Sequence, residues 1–316
     1  MTAAAFRAPR AAAIPLDLPE RWHRPLLTLA AGMGVLAAVC LVLAAVDPRE
    51  ILGQNAWFKP LKFSLSIAIY AVTLAWLIGQ VRRWRRAAEV GGSIVVAAMI
   101  AEMVIIVGAT AAGTTSHFNV ATPLNTTLWS VMAGSIATVW VITLGIGIAL
   151  LFSPNRDAAR TLAIRAGIVI GLAGMAVAFL MTSPTSEQLD DFQGIAGAHA
   201  VGVADGGAGL PFLGWSTEGG DLRAPHFVGM HALQALPLLV LGLELLARPV
   251  PVLRDPRVRW RLTAIATAAS AATLGILTWQ ALAGQPVTAP AGAVLVAGIG
   301  TAVATVAATI TVLVRR

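Results

Sequence analysis

The 316-residue sequence has few charged residues and a single cysteine. Charged side chains make up 12% of the chain and hydrophobic ones 57%, with a mean hydropathy of +0.79. That balance excludes an ordinary soluble domain. Because Cys40 is alone, an intrachain disulfide and a C-x-x-C metal motif are both excluded. The sequence also lacks H-E-x-x-H and C-x-x-C-H, so no familiar metal or haem signature is present.

The hydrophobic residues form eight blocks of about twenty residues, the length at which a helix crosses a bilayer core. The blocks are 26–46, 61–79, 91–110, 131–151, 166–182, 227–247, 262–282 and 291–314. Continuous apolar runs without period-two alternation favour helices over a β-barrel. The predicted fold class is all-α, a polytopic transmembrane bundle. A cytoplasmic tail over 1–25 precedes one transmembrane domain over 26–316, which has a long loop at 183–226.

The basic residues predict how the bundle is oriented. Only four of the twenty-two lie on one side of the predicted spans: Arg49, Lys59, Lys62 and Arg223. The other eighteen precede the first block, follow the second, fourth and sixth blocks, or end the chain. By the positive-inside rule both termini are cytoplasmic and the 183–226 loop faces outward. The net charge of +7 then needs no partner except the lipid bilayer, and no nucleic acid is expected.

Four of the five histidines fall on the predicted outer side, and these are the candidate ligands of a metal or haem: His117, His199, His226 and His231. Imidazole is a common ligand of both. His231 is expected to lie deepest. The fifth histidine, His23, is expected to be solvated on the cytoplasmic side. The spacing of five between His226 and His231 turns them about 140° apart on a helix, a poor chelating geometry.

Other polar residues near the long loop are candidates for orienting these imidazoles: Asp205, Asp221, Arg223 and Gln234. Thr185 and Gln188 stand in capping-box register, which predicts a surface helix from Ser186 to about Ala198. The alternative, that the histidines and carboxylates only hydrogen-bond the loop to the helix ends, stays open.

Glu102 lies near the centre of the third block, where an ionisable group costs roughly 3 kcal/mol on insertion scales. It is either a functional intramembrane acid or a protonated carboxyl bonded to a Ser or Thr of a neighbouring helix. If its helix continued to His117, the two residues would be about 22 Å apart, too far to interact. Glu244 is expected to pair with Arg248 at i+4.

Lys59 and Lys62 are the only lysines in the chain. They stand three residues apart, which places them on one helix face. One interpretation is a cationic pair that holds an anionic substrate or a cofactor propionate. The other is that both side chains extend to lipid phosphates.

Three phrases, GTTSHFN, GDLRAPHFVGMHALQALP and WFKPLKFSLS, resemble a group of bacterial multi-pass membrane proteins that brings no activity with it. The resemblance implies a bacterial plasma (inner) membrane location. Three function classes remain open: a redox protein that holds a metal or haem, an outer-leaflet lipid hydrolase or transferase, and a proton-coupled transporter that uses Glu102. The concentration of histidine favours the first.

The predicted orientation has a direct test in a Cys40→Ser background. We expect Glu218→Cys to react with an impermeant thiol reagent on intact spheroplasts, and Arg83→Cys or Arg257→Cys to react only after permeabilisation. Reaction of the Arg83 position from outside would reverse the orientation.

Overall fold

The computed structural model describes residues 21–155 and 157–314, and the predicted tail before residue 21 lies outside them. Ten α-helices occur in the described part: α1 (Arg24–Val46), α2 (Phe58–Gln80), α3 (Arg85–Ala111), α4 (Pro123–Leu151), α5 (Ala158–Val177), α6 (Ser186–Asp190), α7 (Arg223–Met230), α8 (Ala232–Leu246), α9 (Pro256–Leu282) and α10 (Gly292–Val314). Strands β1 (Glu50–Ile51) and β2 (Gln54–Asn55) form one antiparallel pair, and β3 (Ala200–Val201) and β4 (Gly220–Asp221) form another.

Eight helical segments of the described chain are long and apolar enough to cross a membrane, one for each predicted block. The all-α class and the helical nature of the blocks are therefore confirmed. Several helices begin before their apolar block because a capping residue fixes the start. Thr122 accepts a hydrogen bond from the Asn125 amide and Pro123 occupies the first turn, so α4 begins well before residue 131.

Two hydrophobic cores hold the helices together. The larger one joins α1, α2, α3 and α4, with Leu74, Val95 and Ile106 among its fully buried residues. The smaller one is centred on α5, which packs against α7, α8 and α9. The last helix, α10, packs on α9 and is otherwise largely exposed. An exposed apolar surface of this kind is typical of helices that face lipid.

A close crossing of α5 and α7 positions part of the candidate site. A Cβ atom at Gly174 would overlap the backbone of Gly229 and Met230, so only glycine permits this approach. The crossing brings the Gly174 carbonyl to 2.9 Å from Nδ1 of His226, which donates a hydrogen bond to it.

Two predictions about polar residues are wrong. His23 is buried, because its Nδ1 accepts from the Leu26 amide at the start of α1 and its Nε2 lies 2.9 Å from the Glu89 carbonyl. Glu244 pairs with Arg160 on α5 through two contacts of 2.6 and 2.7 Å, and not with Arg248. A buried carboxylate gains more from a bidentate partner across the helix interface than from an exposed one on its own helix.

The predicted surface helix exists but is shorter than expected. Its capping box between Thr185 and Gln188 is present, yet α6 ends at Asp190. Gly194 and Gly197 follow with φ values of +80° and +129°, which helical residues do not adopt. The chain therefore reaches His199 as an extended segment and not as a helix end.

The glycine crossing predicts a selective effect on stability. Gly174→Ala forces α5 and α7 apart, and overpacking of this kind typically costs about 1–3 kcal/mol. We expect a lower thermal unfolding temperature in detergent. Gly145→Ala in α4 is the matched control, because its Cβ meets nothing within 4 Å. Equal unfolding temperatures for the two variants would contradict the crossing.

Candidate functional site

A cavity of about 250 Å³ opens at the end of the bundle where residues 112–122 and 183–222 lie, here called the loop face. Its lining carries three cations, Lys59, Lys62 and Arg223. The lining also includes side chains that can exchange protons or donate hydrogen bonds: Thr114, Thr115, Ser116, His199 and Asp205. The two predicted lysines therefore do share one surface, and that surface is a cavity wall.

The walls are held by hydrogen bonds between the two loops. The Val120 amide donates to the Gly194 carbonyl, and the Ala196 amide donates to the Phe118 carbonyl, each at 2.8 Å. Phe118 adopts a left-handed φ of +63°, a conformation that L-residues hold only when their surroundings require it. The loops thus form a defined structure and not a solvated connection.

Two of the three cations stabilise the long loop. Lys62 Nζ donates to the carbonyls of Phe212 and Leu213, both at 2.9 Å, and so fastens the long loop to the start of α2. Arg223 pairs with the buried carboxylate of Asp221 at 2.6 Å and also donates to the Gly214 carbonyl. Asp221 and Arg223 therefore hold the loop, and neither bonds to a histidine as the sequence suggested.

Lys59 differs from both. Within residues 21–155 and 157–314 it has no hydrogen bond and no ion pair, although it is only partly exposed. Glu102, Asp205 and Arg223 lie within electrostatic range of its ammonium group. An ammonium group in a cavity with no bonded partner is available to an anion from solution.

Glu102 and His117 are neighbours, because α3 ends before His117 and the condition for a wide separation is not met. Helix α3 ends at Ala111 and the chain reverses at Gly113, which has a φ of +69°. His117 Nε2 therefore lies 3.9 Å from Glu102 Oε1. The Glu102 side chain is 1% exposed, and its Oε2 has no hydrogen-bond partner among the described residues. Neither the serines of α2 nor the threonines of α9 bond to it.

A third residue connects this pair to the cavity. Ser116 Oγ lies 3.0 Å from His117 Nδ1, and Ser116 is part of the cavity wall. If the Ser116 hydroxyl donates to Nδ1, the ring proton of His117 is on Nε2 and points towards Glu102. Ser116, His117 and Glu102 thus form a chain of exchangeable groups from the cavity wall to the middle of α3.

His117 is packed among aromatic rings. Its ring centroid lies 5.5 Å from those of Phe63 and Trp129. Burial lowers the pKa of His117 well below its usual value, and the neighbouring positive charges of Lys59 and His199 act in the same direction. The imidazole is therefore neutral at neutral pH, the form in which it can accept a proton at one nitrogen and release one from the other.

His199 forms a second pair at the cavity. Its Nδ1 donates to Asp205 Oδ2 at 2.7 Å, so the prediction that Asp205 orients an imidazole is supported by this geometry. Burial lowers the pKa of His199 despite the adjacent carboxylate. Burial opposes the ionisation of Asp205, but hydrogen bonds from the His199 ring and from the amides of His199 and Ala200 hold its pKa below the usual range. A neutral imidazole held in this way can act as a base through Nε2.

The other two histidines lie apart from this pair. His226 Nδ1 donates to Gly174 as described, and His231 Nδ1 donates to the Phe227 carbonyl at 2.7 Å. His231 is partly exposed at the junction of α7 and α8. Gln234 does not bond to its ring and lines a different cavity. Among the residues that the structure describes, no three His, Cys, Asp or Glu side chains converge as metal ligands.

Sequence reasoning missed Ser116 as a site residue. The signal was present in the polar run Thr114-Thr115-Ser116 directly before His117. This run did not identify Ser116 as a site residue, because the reversal of the chain after Ala111 depends on tertiary contacts between the two loops. The comparisons with protein-family models, with curated proteins and with solved structures find no match for this chain.

The burial of His117 predicts how stability depends on pH. Its pKa is lower in the folded protein than in the unfolded chain, where it is about 6.5, so unfolding takes up protons below that pH. The thermal unfolding temperature should therefore fall as the pH decreases from 6.5 to 5. One such imidazole contributes at most about 1.4 kcal/mol per pH unit.

His117→Gln should make this pH dependence shallower, because it removes one of the loop histidines whose pKa is lowered by burial. The same measurement between pH 7.5 and 8.5 is the internal control and should show no difference in slope. An unchanged slope below pH 6.5 in the variant would contradict the buried, neutral state of His117.

Proposed function

We propose that this is a multi-pass protein of the bacterial plasma membrane, with both termini in the cytoplasm, that moves a small anion together with a proton. Eight apolar helices and the bias of basic residues to one side support the membrane placement. The single observation that carries the transport role is the juxtaposition of Lys59 with the Ser116–His117–Glu102 chain. On this proposal the loop face is the outer face.

Lys59 is the anion-binding group. Its ammonium has no bonded partner in the described chain, whereas Lys62 and Arg223 are occupied by the loop. The Thr114, Thr115 and Ser116 hydroxyls line the same space and can donate further hydrogen bonds. A cavity of about 250 Å³ suits a small inorganic or short organic anion and not a long apolar one.

The buried carboxyl of Glu102 accepts the proton. A proton that enters at Ser116 passes to one nitrogen of His117, and the other nitrogen releases its proton to Glu102 Oε1. The 3.9 Å separation is longer than a hydrogen bond, so a small rotation of either side chain completes the transfer. An acid at this depth of a helix is typical of proton pathways in pumps and transporters.

Electrostatics couples the two events. Burial favours the protonated form of Glu102, and with the cavity free of ligand the attraction of the Lys59 charge for the carboxylate form opposes it. An anion bound to Lys59 cancels that attraction, so Glu102 takes up a proton as the anion binds. The combined site then carries no added charge, which lowers the cost of moving the ligand into a low-dielectric region.

A second candidate function is hydrolysis or group transfer on a lipid headgroup at the outer leaflet. The 2.7 Å contact between His199 and Asp205 favours it, because the carboxylate holds the imidazole with Nε2 free to act as a base. A fluorogenic phospholipid whose headgroup bond is broken only by wild-type protein, and not by His199→Gln, would support this candidate.

The redox hypothesis has weaker support. The hydrogen bond from each Nδ1 to a backbone carbonyl leaves Nε2 of His226 and His231 available, but a haem or metal would need one of them to approach a second histidine. His117 and His199 both contact the Phe118 ring, at centroid distances of 6.0 and 4.9 Å. The aromatic ring therefore occupies space beside both imidazoles.

The transport proposal is tested with purified protein and proteoliposomes. Thermal shift measurements first screen phosphate, sulfate, nitrate and gluconate. The anion that binds is then added outside proteoliposomes that contain a pH-sensitive dye, and the wild-type protein should acidify the lumen. Lys59→Gln should weaken binding about 10- to 100-fold, the range for losing a hydrogen bond to a charged group.

Glu102→Gln should keep anion binding and lose the lumenal acidification. Glu218→Gln, an exposed carboxyl of the same loop face, is the matched control and should behave as wild type. The proposal fails if none of the four anions binds, or if acidification persists without Glu102.

A further inference from the structure

A second cavity, of about 710 Å³, lies between the pair α1–α2 and the pair α5–α8 and is here called the lateral slot. Its walls are mostly apolar side chains, including Leu27, Trp76, Ile164, Leu233 and Leu241. It shares no lining residue with the loop-face cavity. An apolar space of this size needs an apolar occupant when the protein lies in a membrane.

The lateral slot opens sideways. Its exposed lining residues include Ile69 at 47%, Val72 at 42% and Leu238 at 62%. On the proposed membrane placement those side chains face the hydrocarbon of the bilayer. Its occupant therefore enters from the lipid phase and not from water.

Its length corresponds to one leaflet. Along α8 the slot extends from Gln234 to Glu244, ten residues and so about 15 Å. The hydrocarbon core of a bilayer is about 30 Å thick. An acyl chain of a single leaflet therefore matches the length of the slot between Gln234 and Glu244.

Four polar lining residues gather at the end away from the loop face: Gln80, Asn155, Arg160 and Glu244. The amide of Gln234 lies at the other end. Trp22 also lies at the end away from the loop face, at the level where aromatic rings occupy the membrane interface. An amphipathic molecule would thus place its headgroup at this end and its chain in the apolar part.

Two arginines that lie close in sequence to lining residues at this end favour an anionic headgroup. Arg24 is the first residue of α1, beside Trp22, and Arg82 follows α2 two residues after Gln80. Both are exposed, and neither has a carboxylate partner in the described part of the chain. Acids on the same face already have partners: Glu89 pairs with Arg85, Asp157 with Arg259, Glu244 with Arg160, and Asp255 caps α9.

We infer that the lateral slot binds an anionic phospholipid from the leaflet opposite the loop face, with its phosphate near Arg24 and Arg82. Basic pockets between helices on the cytoplasmic side are known to bind such headgroups. This inference rests on the proposed membrane placement but not on anion transport. The two can fail separately, because lipid binding is measured in detergent without any gradient.

The test compares dioleoyl phosphatidylglycerol with dioleoyl phosphatidylcholine, which share their acyl chains and differ in headgroup charge. Native mass spectrometry of the purified protein measures how much of each lipid is retained, and thermal shift measures stabilisation. We expect preferential retention of phosphatidylglycerol. Arg24→Gln combined with Arg82→Gln should reduce its affinity about 30-fold, since each basic residue near an anionic surface contributes about 1 kcal/mol.

Two controls separate a specific site from general charge or folding effects. Arg257→Gln combined with Arg261→Gln removes the same charge from exposed positions of α9 and should leave the preference unchanged. Ala31→Phe fills the slot from an exposed position of α1 and should abolish retention of both lipids. Ala304→Phe, exposed on α10, should retain them.

The inference is overturned if the two lipids are retained equally, if the α9 variant loses the preference as the Arg24 and Arg82 variant does, or if Ala31→Phe retains phosphatidylglycerol. Circular dichroism of each variant confirms that loss of lipid is not loss of folding. If Ala31→Phe does not fold, Ala68→Phe on α2 provides the same test.

Discussion

The burial of Glu102 is the constraint on which the loop face depends. A carboxyl group that is 1% exposed in an apolar helix is costly unless a polar group reaches it. That group is His117, and it arrives because α3 stops at Ala111 and the chain turns back at Gly113. The loop that carries His117 is in turn fixed by backbone hydrogen bonds to the 183–222 segment. The loop-face segment that carries His117 is thus packed against the buried acid.

The cations of the cavity fall into two groups: those that are bonded to another group of the protein and those that are not. Lys62 and Arg223 bind loop carbonyls and Asp221, and they explain why the glycine-rich loop is ordered. Lys59 retains no such partner in the described chain. This division favours ligand binding over a purely structural role for the cavity, because a cation whose only task is to fasten the loop would be bonded to it.

The class of fold and the number of apolar helices follow from the sequence because block length and composition are local properties. The pair of lysines on one face of α2 also follows from spacing alone. The contact between Glu102 and His117 does not, because it depends on a helix end and a glycine turn that only the second loop stabilises. The Glu244 pair was assigned wrongly for a similar reason: Arg160 lies eighty-four residues away in sequence and is brought close by the packing of α5 on α8.

The central claim is that anion binding at Lys59 drives proton uptake by Glu102. Infrared difference spectroscopy measures it most directly, because the C=O stretch of a protonated carboxyl is distinct from the bands of a carboxylate. Adding the bound inorganic anion at constant pH should produce a protonated-carboxyl band in wild-type protein, and that band should be absent in Glu102→Gln. A wild-type spectrum without this band, although the anion is bound, would contradict the account.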